Sequence, residues 1–177
     1  MPEGALLLAF VSVQRLVELI WARRNTDRLL AKGGVEFGRS HYPIMVALHL
    51  GWLGGLWWIA ADRPVDPVLV AMFAVLQLGR VWVIGTLGER WTTRVIVVPG
   101  EQLIAGGPFR LVRHPNYLIV VAEIAVVPLA LGLPYYAALF SVLNAALLAL
   151  RITVENAALA WATAGHRADE ASIVPSP

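Results

Sequence analysis

The chain of 177 residues contains no cysteine. That removes disulfides, thiolate nucleophiles and cysteine-based zinc sites. Charge is scarce as well, at 15% of residues. A soluble domain carries about a quarter. Nucleotide signatures are missing: there is no Gly-x-Gly-x-x-Gly, no Walker loop and no Gly-x-Ser-x-Gly, so a soluble dinucleotide fold is not encoded. The histidines at 41, 49, 114 and 166 show no i,i+4 pairing, so no metal site is expected. No repeat, low-complexity segment or heptad pattern is present, and no basic stretch precedes the first apolar run, so a cleaved signal peptide is not expected.

What fills the chain instead is apolar. Hydrophobic residues make up 58%, and mean hydropathy is +0.68. At this length one domain is the natural reading. Five apolar runs approach the 20 residues needed to span a bilayer: Gly4 to Ala22, Pro43 to Ala61, Pro67 to Gly85, Asn116 to Leu133 and Tyr136 to Arg151. The last two are joined by the Gly132-Leu133-Pro134 turn and form a hairpin. Gly51 and Gly55 in the second run have the small-xxx-small spacing of close helix packing. The fold expected is an all-α integral membrane protein with about five transmembrane helices, a C-terminal helical hairpin and a folded cytoplasmic loop.

The net charge of +2 and a pI near 9.4 fit loop arginines better than nucleic-acid binding, and no nucleic-acid partner is expected. Arg23, Arg24, Arg28, Lys32 and Arg39 follow the first run, and Arg90, Arg94, Arg110 and Arg113 follow the third. The second connection carries only Arg63, and the fourth carries no Lys or Arg. By the positive-inside rule the first and third connections are cytoplasmic, the N-terminus is outside and the C-terminus inside. Trp21, Trp57 and Trp58 suit interfacial belts, and Trp82 and Trp91 read as interfacial rather than catalytic. The third connection, 86–113, is too long for a plain linker. Val95 to Val98 is β-branched, Pro99-Gly100 is a turn signal and Gly106-Gly107-Pro108 breaks any helix, so this segment should fold. The stretch beyond Gly165, with Pro175 and Pro177, reads as a short, poorly ordered tail. The chain thus divides into N-terminal spans (4–85), a functional part (86–167) and a tail (168–177).

Ionisable groups in hydrocarbon are costly and mark function by default. Arg113-His114-Pro115-Asn116-Tyr117 opens the fourth run, and Glu123 lies inside it. Pro115 suits the first position of a helix, and the cluster at a helix start is also a good anion site. Arg151 and Glu155 share one face of the fifth run, with Asn144 on the same stripe. They read either as an intrahelical ion pair or as ligand-binding groups; the order Arg before Glu is the weaker one for a pair. Glu123, on one face with Asn116, reads as a buried structural acid or as a site residue. Arg15 with Glu18, and Gln77 with Arg80, read as internal pairs.

These residues resemble the isoprenylcysteine carboxyl methyltransferase family, whose signature is Arg-His-Pro-x-Tyr, a helical hairpin and an Arg-x-x-x-Glu stretch. Here they stand as Arg113-His114-Pro115-Asn116-Tyr117 and Arg151-Ile152-Thr153-Val154-Glu155. Segments 14–19, 38–42, 90–94 and 143–145 extend the resemblance towards a bacterial branch that O-methylates alkylpyrones. Glu155-Asn156 stands where the family often has Glu-Glu, and 163–167 departs from its Phe-Gly-x-x-Tyr. The resemblance implies an S-adenosylmethionine site lined by His114, Pro115, Tyr117, Arg151 and Glu155. Arg110, Arg113 and Glu123 are the catalytic candidates, with Arg110 or Arg113 holding an anionic acceptor oxygen. The acceptor implied is a lipophilic small molecule such as an alkylpyrone or alkylated phenol. It would enter from the membrane lipids, and an acceptor already anionic at neutral pH would need no strong base. Alternatives are a prenylcysteine-like acceptor, a NADPH-dependent membrane reductase of similar helical arrangement, and a non-enzymatic scaffold. The oligomeric state is left open.

Overall fold

The computed structural model describes residues 2–102 and 104–173, with side chains of the last helix described through Ala162. Five helices carry the fold: α1 (Glu3–Ala31), α2 (Tyr42–Ala60), α3 (Pro67–Leu87), α4 (Pro115–Ala130) and α5 (Pro134–Ile173). Their starts are written in the sequence. Asp66 caps α3, its carboxylate accepting from the Val68 and Leu69 N–H groups at 2.8 and 3.2 Å. Pro67, Pro115 and Pro134 open α3, α4 and α5, where a missing N–H costs nothing.

Four of these helices are long and apolar enough to cross a membrane, and α4 is a shorter apolar helix. Its 16 residues span about 24 Å against about 30 Å of hydrocarbon. It nonetheless runs from one end of the bundle to the other. At its end the Ala130 carbonyl accepts from Asp66 N at 2.9 Å, in the α2–α3 connection. Gly4 N donates to Arg63 O at 3.0 Å, bringing the start of α1 to the same end. Asn25 Nδ2, near the far end of α1, donates to Gly88 O and Trp91 O at 3.1 and 2.9 Å. The bundle therefore has one end built from the α2–α3 and α4–α5 connections, and an opposite, arginine-rich end.

The arginine-rich end is thicker than the sequence suggests. Helix α1 continues to Ala31, so Arg23, Arg24 and Arg28 lie on the helix rather than in a loop. Helix α5 continues past its apolar run to Ile173, so the backbone of 166–173 is helical; 174–177, the end of the expected tail, lies outside the described residues. Two strands add a small sheet to an otherwise helical fold: β1 (Val35–Phe37) pairs antiparallel with β2 (Val95–Val97). The Val95 to Val98 signal thus marked a strand, whose partner carries no comparable signal. Phe37 packs on Trp161 of α5 with ring centroids 5.4 Å apart, and Arg94 reaches both Glu36 oxygens at 3.1 Å.

The core joins Leu8 and Val11, Trp52 and Leu56, Phe73, and Ile124 and Val127 from α1 to α4. Buried Trp52 donates its Nε1–H to Ile124 O at 3.3 Å. Of the two spaced glycines in α2, only Gly55 sits at a close approach, under Tyr136; a Cβ at Gly51 would meet nothing within 4 Å.

Candidate active site

At the arginine-rich end a cavity of about 700 Å³ opens between the α3–α4 connection, the start of α4 and α5. That is the size range of small-molecule sites. His114, Pro115, Asn116, Tyr117, Arg151 and Glu155 all line it. The hairpin explains why residues 34 and 38 positions apart meet. The α4–α5 turn folds the two helices back to back, which returns Arg151 and Glu155 to the level of Tyr117.

Tyr117 is the hub. Its hydroxyl accepts from Arg151 Nε at 2.9 Å and donates to Glu155 Oε2. Arg151 and Glu155 form no ion pair among the described residues; the phenol stands between them. Its ring stacks on His114, centroids 5.3 Å apart and planes 22° apart, and His114 Nδ1 lies 3.5 Å from Glu155 Oε1. The Arg151 guanidinium, 6% exposed, sits 5.6 Å from the Tyr117 ring centre. Its Nη1 contacts Met45 Sδ at 3.0 Å, which ties α2 to the site.

Three polar atoms on the cavity wall are buried with no hydrogen-bond partner among the described residues: Trp91 Nε1, His114 Nε2 and Asn116 Oδ1. Unsatisfied buried polar atoms are costly and call for an explanation, a ligand among them. Two donors or acceptors on rings and one amide oxygen, beside the Glu155 carboxylate, suit a polar, charged guest. Trp91 is 4% exposed, so it is neither interfacial nor peripheral as its sequence context suggested. The nearest sequence signal was its place inside the Arg-Trp-Thr-Thr-Arg segment of the folded connection.

The catalytic candidates separate. Arg113 lines the cavity. Arg110 is exposed on a short 3-10 turn (Gly107–Arg110) and is not among the lining residues. Glu123 is fully buried in a different setting, outside the lining. Its carboxylate receives Arg15, Arg80 and Gln77, with Arg80 Nε at 3.0 Å and Gln77 Nε2 at 2.7 Å. Glu18 joins through Arg15 at 2.9 Å and Arg80 at 3.4 Å, and Gln14 bridges Glu18 and Gln77. Arg15 and Glu18 pair as expected, whereas Gln77 and Arg80 do not pair with each other; both bind Glu123. Two arginines and two glutamates make this intramembrane network neutral, which is the condition for burying it.

The model of the isoprenylcysteine carboxyl methyltransferase (ICMT) family matches residues 69–161, which hold every one of the cavity residues just described in α4 and α5. The chain belongs to that family. Across its length it is similar to the uncharacterized protein YpbQ of Bacillus subtilis (strain 168), 35% identical over 167 positions that cover 87% of this chain and 95% of the relative. An uncharacterized protein of Haemophilus influenzae is 25% identical over 153 positions, covering 82% of this chain and 88% of its own. No solved structure matches. Family membership and the apolar helices make this an integral membrane protein of a methyltransferase family. The family match leaves out α1 and α2, so half of the Glu123 network and Met45 lie beyond it.

Proposed function

We propose that the protein transfers a methyl group from S-adenosylmethionine to an oxygen of a lipophilic, acidic acceptor. The reading rests on one observation: the family's His114, Tyr117, Arg151 and Glu155 converge on a cavity of about 700 Å³ whose wall holds unpartnered buried polar atoms. The residues fit the cofactor. Glu155 offers a carboxylate to its ammonium, Trp91, His114 and Asn116 offer polar atoms to its heteroatoms, and the stacked rings of His114 and Tyr117 offer faces to a cation. Bound there, the cofactor supplies an electrophilic methyl group on a sulfonium.

The chain's own contribution is placement and charge. Arg151 and Glu155 hold the Tyr117 hydroxyl from both sides, which fixes the ring and the His114 stack. In-line methyl displacement depends on such alignment for much of its rate. Arg113 supplies a cation at the cavity wall for an anionic group of the cofactor or the acceptor. The acceptor class is a long-chain alkylpyrone or alkylated phenol, supported by the resemblance in α1 to α3 and by the membrane setting. The enzyme would sit in a bacterial cytoplasmic membrane with the cavity on the cytoplasmic side, since that end carries the arginines.

Calorimetry of the purified protein tests the cofactor: S-adenosylhomocysteine should bind and NADPH should not. Binding of NADPH alone would replace this reading with a reductase, and binding of neither would leave a scaffold.

A further inference from the structure

His49 of α2 and Asn144 of α5 are polar side chains that neither this site nor the Glu123 network uses. His49 lies on α2, one turn beyond Met45, and its Nδ1 is 2.8 Å from the Met45 carbonyl. A carbonyl only accepts, so in the neutral ring Nδ1 carries the proton and Nε2 presents its lone pair. Asn144 lies on α5, two turns before Arg151; it is 4% exposed, and its Nδ2 is buried with no hydrogen-bond partner among the described residues.

Both lie in the same stretch of the bundle. Helices α2 and α5 are bridged at two levels. Arg151 meets Met45 at 3.0 Å, and the Tyr136 hydroxyl donates to Trp52 O and Gly51 O at 2.8 and 3.2 Å. His49 falls between these bridges on α2, and Asn144 midway between them on α5. The first bridge is also a wall of the cofactor cavity, through Arg151. The neighbouring Leu50 and Leu143 are 66% and 45% exposed, so the flanks of this stretch are apolar and face outward.

We propose that this stretch between α2 and α5 holds the acceptor's head, with His49 as its general base and Asn144 as a donor to its oxygen. The inference rests on the methyltransferase reading above. In the step, the acceptor O–H proton passes to His49 Nε2 as the acceptor oxygen forms its bond to the methyl carbon. The methyl–sulfur bond breaks, its electron pair neutralises the sulfonium, and His49 later loses its proton to water. Arg151, whose charge no carboxylate pairs among the described residues, favours negative charge on the acceptor oxygen as the proton leaves. An acidic enol gains little from such a base. A phenol ionises near pH 10 and is only about 0.1% anionic at pH 7, so it gains a great deal. His49 would therefore widen the acceptor range beyond hydroxyls that ionise unaided.

The test uses the full-length protein in detergent or nanodiscs, with an alkylated 4-hydroxy-2-pyrone and an alkylphenol of equal tail length. His49→Asn keeps a donor for the Met45 carbonyl and lacks the Nε2 lone pair. It should lower kcat for the phenol about a hundredfold or more and for the pyrone by less than about threefold. Affinity for S-adenosylhomocysteine should not change. Asn144→Leu should raise KM for both acceptors about tenfold, again with unchanged cofactor affinity. Equal losses on the two acceptors, no loss on the phenol, or inability of the unaltered protein to use the phenol would each overturn the base. An unchanged KM in Asn144→Leu would overturn the placement. An unaltered protein that binds S-adenosylhomocysteine but methylates neither acceptor would overturn the acceptor reading underneath.

Discussion

The Tyr117 hydroxyl sits between Arg151, which donates to it at 2.9 Å, and Glu155, to which it donates. Removing that oxygen separates three residues at once. Tyr117→Phe leaves a buried guanidinium N–H without its partner, a loss of about 1–3 kcal/mol in stability. The Glu155 carboxylate loses its fixed position at the cavity wall. S-adenosylhomocysteine affinity should fall about tenfold, and His114→Ala and Glu155→Ala should each lower it about ten- to a hundredfold. Calorimetry on folded variants measures this. Normal affinity in all three would remove the site from this cavity.

The Glu123 network makes the opposite kind of prediction. Glu123→Ala strips Arg80, itself 3% exposed, of its main partner inside the bundle. An uncompensated buried charge costs about 3–5 kcal/mol. The variant should unfold at markedly lower temperature in detergent, and Glu123→Gln should be milder because it keeps the shape and an acceptor oxygen. If Glu123→Ala melts with the unaltered protein, the network is not holding α1, α3 and α4 together.

These two clusters show how much the sequence carried. Arg151 and Glu155 were legible because their spacing puts them on one helix face, His114 and Tyr117 because they cluster at a helix start; the short Gly132-Leu133-Pro134 turn predicts the hairpin, and the family resemblance joined the two sets into one site. The Tyr117 bridge was not, because i,i+4 spacing on α5 describes only its own helix and leaves out an intervening side chain from α4. Glu123 was legible as a costly buried acid, but its partners come from residues 108 and 43 positions away. No periodicity reports such contacts. Trp91 and strand β1 were missed for a related reason: irregular segments have no period, and their burial is decided by what packs on them.

His41 predicts a pH dependence. It is buried at the start of α2 beneath Gly38, whose φ of +63° and lack of a Cβ let the ring sit there. Burial, and then the nearby Arg151 charge, hold its pKa below the ordinary value. The unfolded chain therefore binds the proton more readily. Stability is complete above about pH 6.5 and falls as pH drops through the folded-state value. Thermal unfolding from pH 8 to pH 5 should show the decline, and His41→Gln should flatten part of it. A variant with the unaltered slope would assign the effect elsewhere.

The cysteine-free background makes orientation easy to measure. Gln102→Cys and Asp62→Cys are both exposed and lie at opposite ends of the bundle. In intact cells an impermeant maleimide should label position 62 and spare position 102 until the membrane is opened. The reverse pattern would place the cavity, and its access to cytoplasmic cofactor, on the wrong side.

Tail length should govern acceptor use. Each buried methylene contributes about 0.8 kcal/mol, so an acceptor held by a bilayer-embedded protein gains from every carbon that leaves water. The outward faces of α2 and α5 are apolar, with Leu50 and Val142 66% and 68% exposed, and such a tail can lie against them in lipid. The polar head needs only the few groups near Arg151, and nothing in that reading calls for a peptide portion. Methyl transfer to a chain-length series of alkylpyrones should therefore show KM falling as the tail grows, then levelling once the tail outgrows those faces. A farnesylcysteine analogue in the same assay should be the poorer acceptor. Preference for the prenylcysteine, or indifference to pyrone tail length, would move the acceptor to another class while leaving the chain in its methyltransferase family.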